Sequence, residues 1–233
     1  MDTKTRDALM NGQESVPTLV SYTITDDDVR GPFTQVPEDM MEKAKLPALN
    51  YQSSIEALGE KFHASPKLLE SLNPGKDFSK AGEQIQVPNI LQDVPSKAAQ
   101  VVVSKSKRTV QALDAAGKVI SEYPATIGSK HDPLPIGAWK VTRVTRDPVF
   151  YYDPNLFWNA HGSDTKAKIN RGPNNPVGVV WIGLTKEHYG LHGTPEPSMI
   201  GHVQSHGCVR LTNWDASELA QMVDSGTPVI FKE

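Results

Sequence analysis

The chain predicts a mainly β protein, α+β overall: a β-sandwich or barrel-like domain with one C-terminal helix, preceded by a small βααβ unit. Three observations carry this expectation. Two short helical patterns stand between two alternating β-type runs within residues 19–90. Beyond residue 99 the texture changes to many short β-type runs joined by turns rich in Gly and Pro, as in a sandwich or barrel. A single amphipathic helical pattern then precedes one last β-type run.

Taken in order, residues 1–18 read as the tail of something cut away: a short helical pattern broken at Asn11-Gly12 and Val16-Pro17. Residues 19–24 alternate and are rich in β-formers, so a strand is expected, followed by an irregular Pro-bearing segment to about Asn50. Ser53 or Ser54 caps a helix with Ile55, Leu58 and Phe62 on one face; Ser65-Pro66 restarts a second helix with Leu68, Leu69 and Leu72 apolar, stopped by Asn73-Pro74-Gly75. Residues 84–88 alternate as the closing strand of this unit, which spans 19–90. Residues 91–98, with Pro95 and Ser96, read as a linker. In the remaining domain, 99–233, strands are expected at 101–103, 109–113, 118–120, 138–142 and 177–182. Thr212 or Asn213 caps a helix with Leu219, Met222 and Val223 on one face, stopped near Gly226, and a strand at 228–231 ends the chain.

Composition narrows the function classes. The net charge of -3, with both signs mixed, gives no basic footprint for nucleic acid. No apolar run approaches the roughly 20 residues that cross a bilayer, so no membrane span is expected. The polar start, Met1 to Asp7, lacks the apolar centre of a secretory signal. Either the protein is cytosolic or its true N-terminus lies upstream. One cysteine excludes an internal disulfide framework.

That cysteine stands in the most informative stretch, 189–211, with three of the seven histidines. A thiol needs help to ionise near pH 7, and His192 is suited to take its proton and return it to a departing amine. His206, Cys208 and Arg210 fall on one face of an extended segment, and Gly207 lets the backbone bend. The amides of Gly207 and Cys208 are candidate oxyanion donors. Arg210 is suited to a substrate carboxylate, or alternatively to a structural salt bridge with Asp215. A rival reading takes His192, His202, His206 and Cys208 as zinc ligands. Pro195, Pro197, Gly201 and Gly207 work against the helix that the His202/His206 spacing would need, and no metal or other cofactor is expected.

Two resemblances follow from these residues. Ser65 to Asn73 fit the "S-x-x-x-L-x-x-L-N" helix of a LysM module, and Gly82, Ile85, Val87 and Pro88 fit its final strand. About 25 residues between the first strand and the first helix depart from the pattern. The resemblance implies either glycan binding or simple packing on the neighbouring domain. Ser205-His-Gly-Cys-Val-Arg-Leu211, preceded by His192-Gly-Thr194 and followed by Asp215 and Leu219, resembles the signature of the YkuD-type L,D-transpeptidase catalytic domain. Ile127-Gly128 and Pro133 to Trp139 match its "G…TPTG-x-F" segment, with Leu134 and Ile136 where threonines are usual and Arg210 where some relatives have Asn.

By this resemblance Cys208 is the acyl-accepting nucleophile, His192 the base, and His206 and Gly207 shape the catalytic loop. Gly193, Ser205 and Arg210 are supporting residues, Gly193 orienting His192 through its backbone. The implied partners are peptidoglycan stem peptides and glycan strands. The implied reaction attacks the L-centred third residue of a tetrapeptide stem, releases D-alanine, and passes the acyl group from a thioester to an amine of another stem. Alternative acceptors are a lipoprotein lysine and water, the latter making a carboxypeptidase. A carbapenem resembles an acyl donor to this family. The setting implied is the periplasm or cell envelope, with the export signal missing from this chain. A rival of another class is a non-catalytic wall-binding protein.

Overall fold

The computed structural model describes residues 17–90, 96–158, 160–203, 205 and 207–233. The expected tail up to residue 16, the linker at 91–95 and His206 lie outside them. The chain divides into two compact units, one formed by residues up to 31 together with 53–92, the other by 32–52 together with 93–233.

In chain order the first half contains β1 (Leu19–Thr23), α1 (Asp26–Arg30), α2 (Met40–Lys43), α3 (Ser54–Lys61), α4 (Pro66–Leu72) and β2 (Gln84–Pro88). The second half contains β3 (Gln100–Ser104), β4 (Thr109–Leu113), β5 (Val119–Pro124), β6 (Thr126–Ile127), β7 (Gly137–Arg146) and β8 (Phe150–Tyr152). It continues with β9 (Ala167–Ile169), β10 (Val180–Leu184), β11 (Gly190–His192), β12 (Val209–Arg210), α5 (Asn213–Met222) and β13 (Pro228–Lys232).

In the small unit β1 and β2 pair antiparallel, Leu19 opposite Pro88. Ser53 and Ser65 cap α3 and α4 by accepting from the amides of Glu56 and Leu68, and Pro66 occupies a first-turn position where its missing N–H costs nothing. Leu58, Phe62, Leu69, Ile85 and Val87 form the core with Ile24. Leu68, expected on the apolar face of α4, is 43% exposed; the helix presents Leu69 to β2 instead. Asn73 ties the two together, its Nδ2 donating to the carbonyls of Leu69 and Gln86 while its Oδ1 accepts from Gln86 N–H at 2.6 Å.

Residues 32–52, read from sequence as an irregular stretch inside the small unit, cluster with the larger one. The reason is apolar burial: Leu49 is fully enclosed with Tyr152 and Ile169 of the β8–β9 hairpin, which is worth about 2 kcal/mol for a leucine. Backbone bonds fasten the segment, Leu49 N–H to Arg171 O at 2.8 Å and Asn174 N–H to Leu49 O at 3.0 Å.

The larger unit is built on one nine-stranded sheet in the order β5-β4-β3-β13-β7-β10-β11-β12-β6. Its two outermost strands, β5 and β6, are separated in sequence by Ala125 alone. Such a short step between opposite ends requires the sheet to curl round on itself, the barrel-like form expected. The roll is centred on β7, whose first residues pair with β13 and whose later residues pair with β10. Val101, Val103, Val110, Val229 and Phe231 fill the interior with Ala216, Leu219 and Met222 of α5. The strand expected from 177 begins at Val180, because the chain is still turning at Gly178, φ +63.

Candidate active site

Three neighbouring strands and the turn entering the third build the site. β11 pairs antiparallel with β10 and parallel with β12, Leu191 opposite Val209 and His192 opposite Arg210. That register sets Cys208 level with Gly190. Alternation sorts the faces: Leu191 and Val209 are buried in the core, while His192, Cys208 and Arg210 line a cleft of about 1510 Å³. Cys208 stands immediately before β12, which begins at Val209.

His192 is 4% exposed. Its ring stacks on Trp181 of β10, centroids 5.4 Å apart and planes 19° from parallel. Nδ1 lies 2.6 Å from Gly193 O; a carbonyl only accepts, so Nδ1 carries the hydrogen and Nε2 keeps its lone pair. Gly193 must lack a side chain, since a Cβ there would strike Asn213 Oδ1. Asn213 in turn accepts from Val179 N–H and donates to Pro173 O, locking the surrounding turns. This residue was expected only as a helix cap, and in that role Thr212 serves.

The thiol of Cys208 points to His188 O at 3.5 Å, and the Gly190 amide donates to the sulfur. The approach to Cys208 is a fixed turn. Gly207 has φ +94, and a Cβ on it would sit 2.9 Å from the Tyr189 ring, so glycine is required for both reasons. Ser205, 2% exposed, donates through Oγ to Cys208 O at 2.6 Å and through its amide to Gly128 O at 3.1 Å. His202 is exposed, in the turn beyond residues 197–199, and does not line the cleft.

Burial governs the electrostatics. It pushes the Cys208 thiol up to about 11, with the Gly190 amide and Arg210 opposing and Asp132 adding to the rise. It pushes the His192 imidazole down to about 3, with Arg210 in the same direction. At neutral pH the resting pair is an uncharged thiol and an uncharged imidazole. Arg210 is half-buried, and burial lowers its guanidinium from the ordinary value against the charges of Cys208 and Glu196. The alternative salt bridge to Asp215 is not formed, and no carboxylate among the described residues comes within ion-pair distance of Arg210. Asp215 instead lies by Thr212 and Glu218 at the start of α5.

Three cleft groups had no signal in the sequence: Trp181, Tyr189 and Asp132. Trp181 is seen only through its register with His192, and Asp132 only through the turn that carries it.

The larger unit has known relatives. The chain is 29% identical over 178 residues to the YkuD protein of Bacillus licheniformis, named for the L,D-transpeptidases, covering 76% of this chain and 92% of that one. It is 27% identical over 231 residues to the similarly named YbiS of Escherichia coli, covering 93% of this chain and 70% of that one. Among solved structures, L,D-transpeptidase 3 from Mycobacterium tuberculosis in complex with a faropenem-derived adduct aligns over 66% of this chain and 75% of its own, at 20% identity and a TM-score of 0.48. Residues 98–231 match the YkuD family model, the L,D-transpeptidase catalytic domain, and the chain therefore belongs to that family.

Proposed function

We propose that this chain is a cysteine-dependent L,D-transpeptidase that cross-links peptidoglycan stem peptides in the cell envelope. The observation that supports this most is the His192 contact with Gly193 O, which fixes the tautomer and leaves the Nε2 lone pair free on a residue that lines the same cleft as the Cys208 thiol. As Sγ attacks the carbonyl of the third stem residue, its proton passes to Nε2. Because both groups rest uncharged, ionisation and attack belong to one event. The amides of Gly207 and Cys208 are the proposed donors to the developing oxyanion, a contribution of about 3 kcal/mol for one such donor in comparable sites. Collapse breaks the C–N bond, His192 returns the proton to the leaving D-alanine nitrogen, and the acyl group stays on sulfur as a thioester.

Arg210 supports the same reading. A guanidinium held in the cleft without a counter-ion is a bidentate seat for a carboxylate, and the departing D-alanine carries one. Ser205 and Gly207 are positioning residues that set the turn on which Cys208 stands. His206, expected to shape that loop, keeps this role within the proposal. The small unit is proposed as a LysM-like glycan-binding module, which raises the local concentration of a polymeric substrate.

Cys208→Ala should abolish D-alanine release from tetrapeptide stems, and a carbapenem should add its mass to the wild type at Cys208. Undiminished turnover by the variant, or an adduct mapped elsewhere by mass spectrometry, refutes the proposal.

A further inference from the structure

An irregularity in β7 brings a further charge to the cleft. Val141, 2% exposed, lies in the core, and Val144 packs against that same core. Strict alternation from Val141 would turn Val144 away and put Arg143 inward. A bulge prevents this: β10 pairs Gly183 with Arg143 and the next residue, Leu184, with Val141, so Thr142 is an extra residue in β7. The side chains after it change face, and Arg143, which is exposed, lines the cleft with Trp181, His192, Cys208 and Arg210. Register then sets Arg143, Gly183 and Gly190 in one row across three neighbouring strands, with Cys208 level with Gly190 beside them. Neither glycine raises a side chain between the ends of that row. A Cβ on Gly190 or Gly183 would come within 2.7 or 3.2 Å of the Trp181 ring, which forms the floor there instead. Among the described residues no carboxylate comes within ion-pair distance of Arg143. Of those lining the cleft, Glu187 turns to His188 and Asp164 accepts from Tyr152.

We infer that Arg143 is a specificity residue, the seat for a carboxylate of the acyl-donor stem on the amino side of the bond attacked. The inference rests on the transpeptidase reading above and says which donor stems the cleft prefers. Arg210, on β12 beside the thiol, is the proposed seat for the departing D-alanine. The part of the stem that stays on sulfur therefore runs the other way, across β11 and β10 towards β7, over the Trp181 ring. Three strand spacings, about 14 Å along the sheet, separate the backbones of Cys208 and Arg143. An extended peptide advances about 3.4 Å per residue, and the long arginine side chain closes the rest. A carboxylate on the residue before the attacked one then meets the guanidinium within that span. The planar fork holds such a group through two parallel hydrogen bonds, and it takes no part in bond breaking.

The test compares two tetrapeptide stems, one with a free carboxylate on its second residue and one with that group as a carboxamide. Binding is measured by calorimetry on the Cys208→Ala chain, and kcat/KM for D-alanine release on the chain with its thiol. Both should favour the carboxylate stem by about tenfold. Arg143→Gln should bring both ratios close to one, and Arg143→Lys, which keeps the charge without the planar fork, should fall between. A ratio close to one while Arg143 is present overturns the inference. So does an Arg143→Gln chain that weakens both stems in step and keeps the ratio, the outcome of a merely structural role. Binding that separates the two stems while D-alanine is released from neither refutes the transpeptidase reading and leaves the anion seat standing.

Discussion

Cys208 and His192 sit in a site that disfavours charge on either, and this has a measurable consequence at the residue. Thiols alkylate as thiolates, and an unhindered cysteine levels off near its ordinary pKa of roughly 8.5. With the thiol pushed up to about 11, alkylation of Cys208 by iodoacetamide should be slow at neutral pH and still be climbing at about pH 9.5. A plateau near neutrality, read from the mass shift against time, would mean a preformed ion pair and contradict the uncharged resting state. Both residues stood out in the sequence because the proposed chemistry needs a rare residue in a Gly-rich frame. Gly193 and Gly207 were legible for the same reason, and each has a physical cause in Asn213 and Tyr189. Asp132 was not, since a carboxylate before a proline reads as a turn residue, and only the fold shows that its oxygen is buried and unmatched.

At the scale of the element, α5 carries its own burden. Burial raises Asp215 to about 6, with the Thr212 hydrogen bond opposing and Glu218 adding. The unfolded chain ionises this carboxyl near 3.8. Between these values the folded state holds a proton that the unfolded state has lost, so stability falls as pH rises through the window and stays lower above it. The full penalty is on the order of 3 kcal/mol. Asp215→Asn should therefore melt higher than wild type at pH 7 and lose the decline between about pH 4 and 6, as followed by thermal unfolding. Elements of this length were predictable: α3, α4, α5 and the strands near 101, 111 and 230 have enough residues for periodicity to show. The strands that build the site do not. β6, β11 and β12 contain two or three residues each, too few to alternate, and they are strands only because their neighbours supply the bonds.

For the molecule as a whole, the two-unit organisation was readable from the change of texture near residue 99, but the allegiance of 32–52 was not. Leu49, Met40 and Met41 are spaced without a period and find their apolar partners more than 100 residues away in sequence, around Tyr152 and Ile169. The small unit gives the test of substrate capture. The Cys208→Ala chain, residues 1–233, should sediment with purified sacculi, since binding through the small unit needs no thiol; a variant that stays in solution would remove glycan binding from the proposal. The curling of the sheet bears on the reaction in another way. β6 ends the ladder, so β12 lies one short strand from the margin, and two-residue strands at a margin open readily. β12 is bonded to β11 on one side and to β6 on the other, and the single-residue step at Ala125 tethers β6 to β5. Cys208 thus stands beside a margin that is held by the covalent chain and not by a further ladder. Local opening at that tether would disturb Cys208 ahead of the central strands β3, β13 and β7, so the cleft should loosen before the core does.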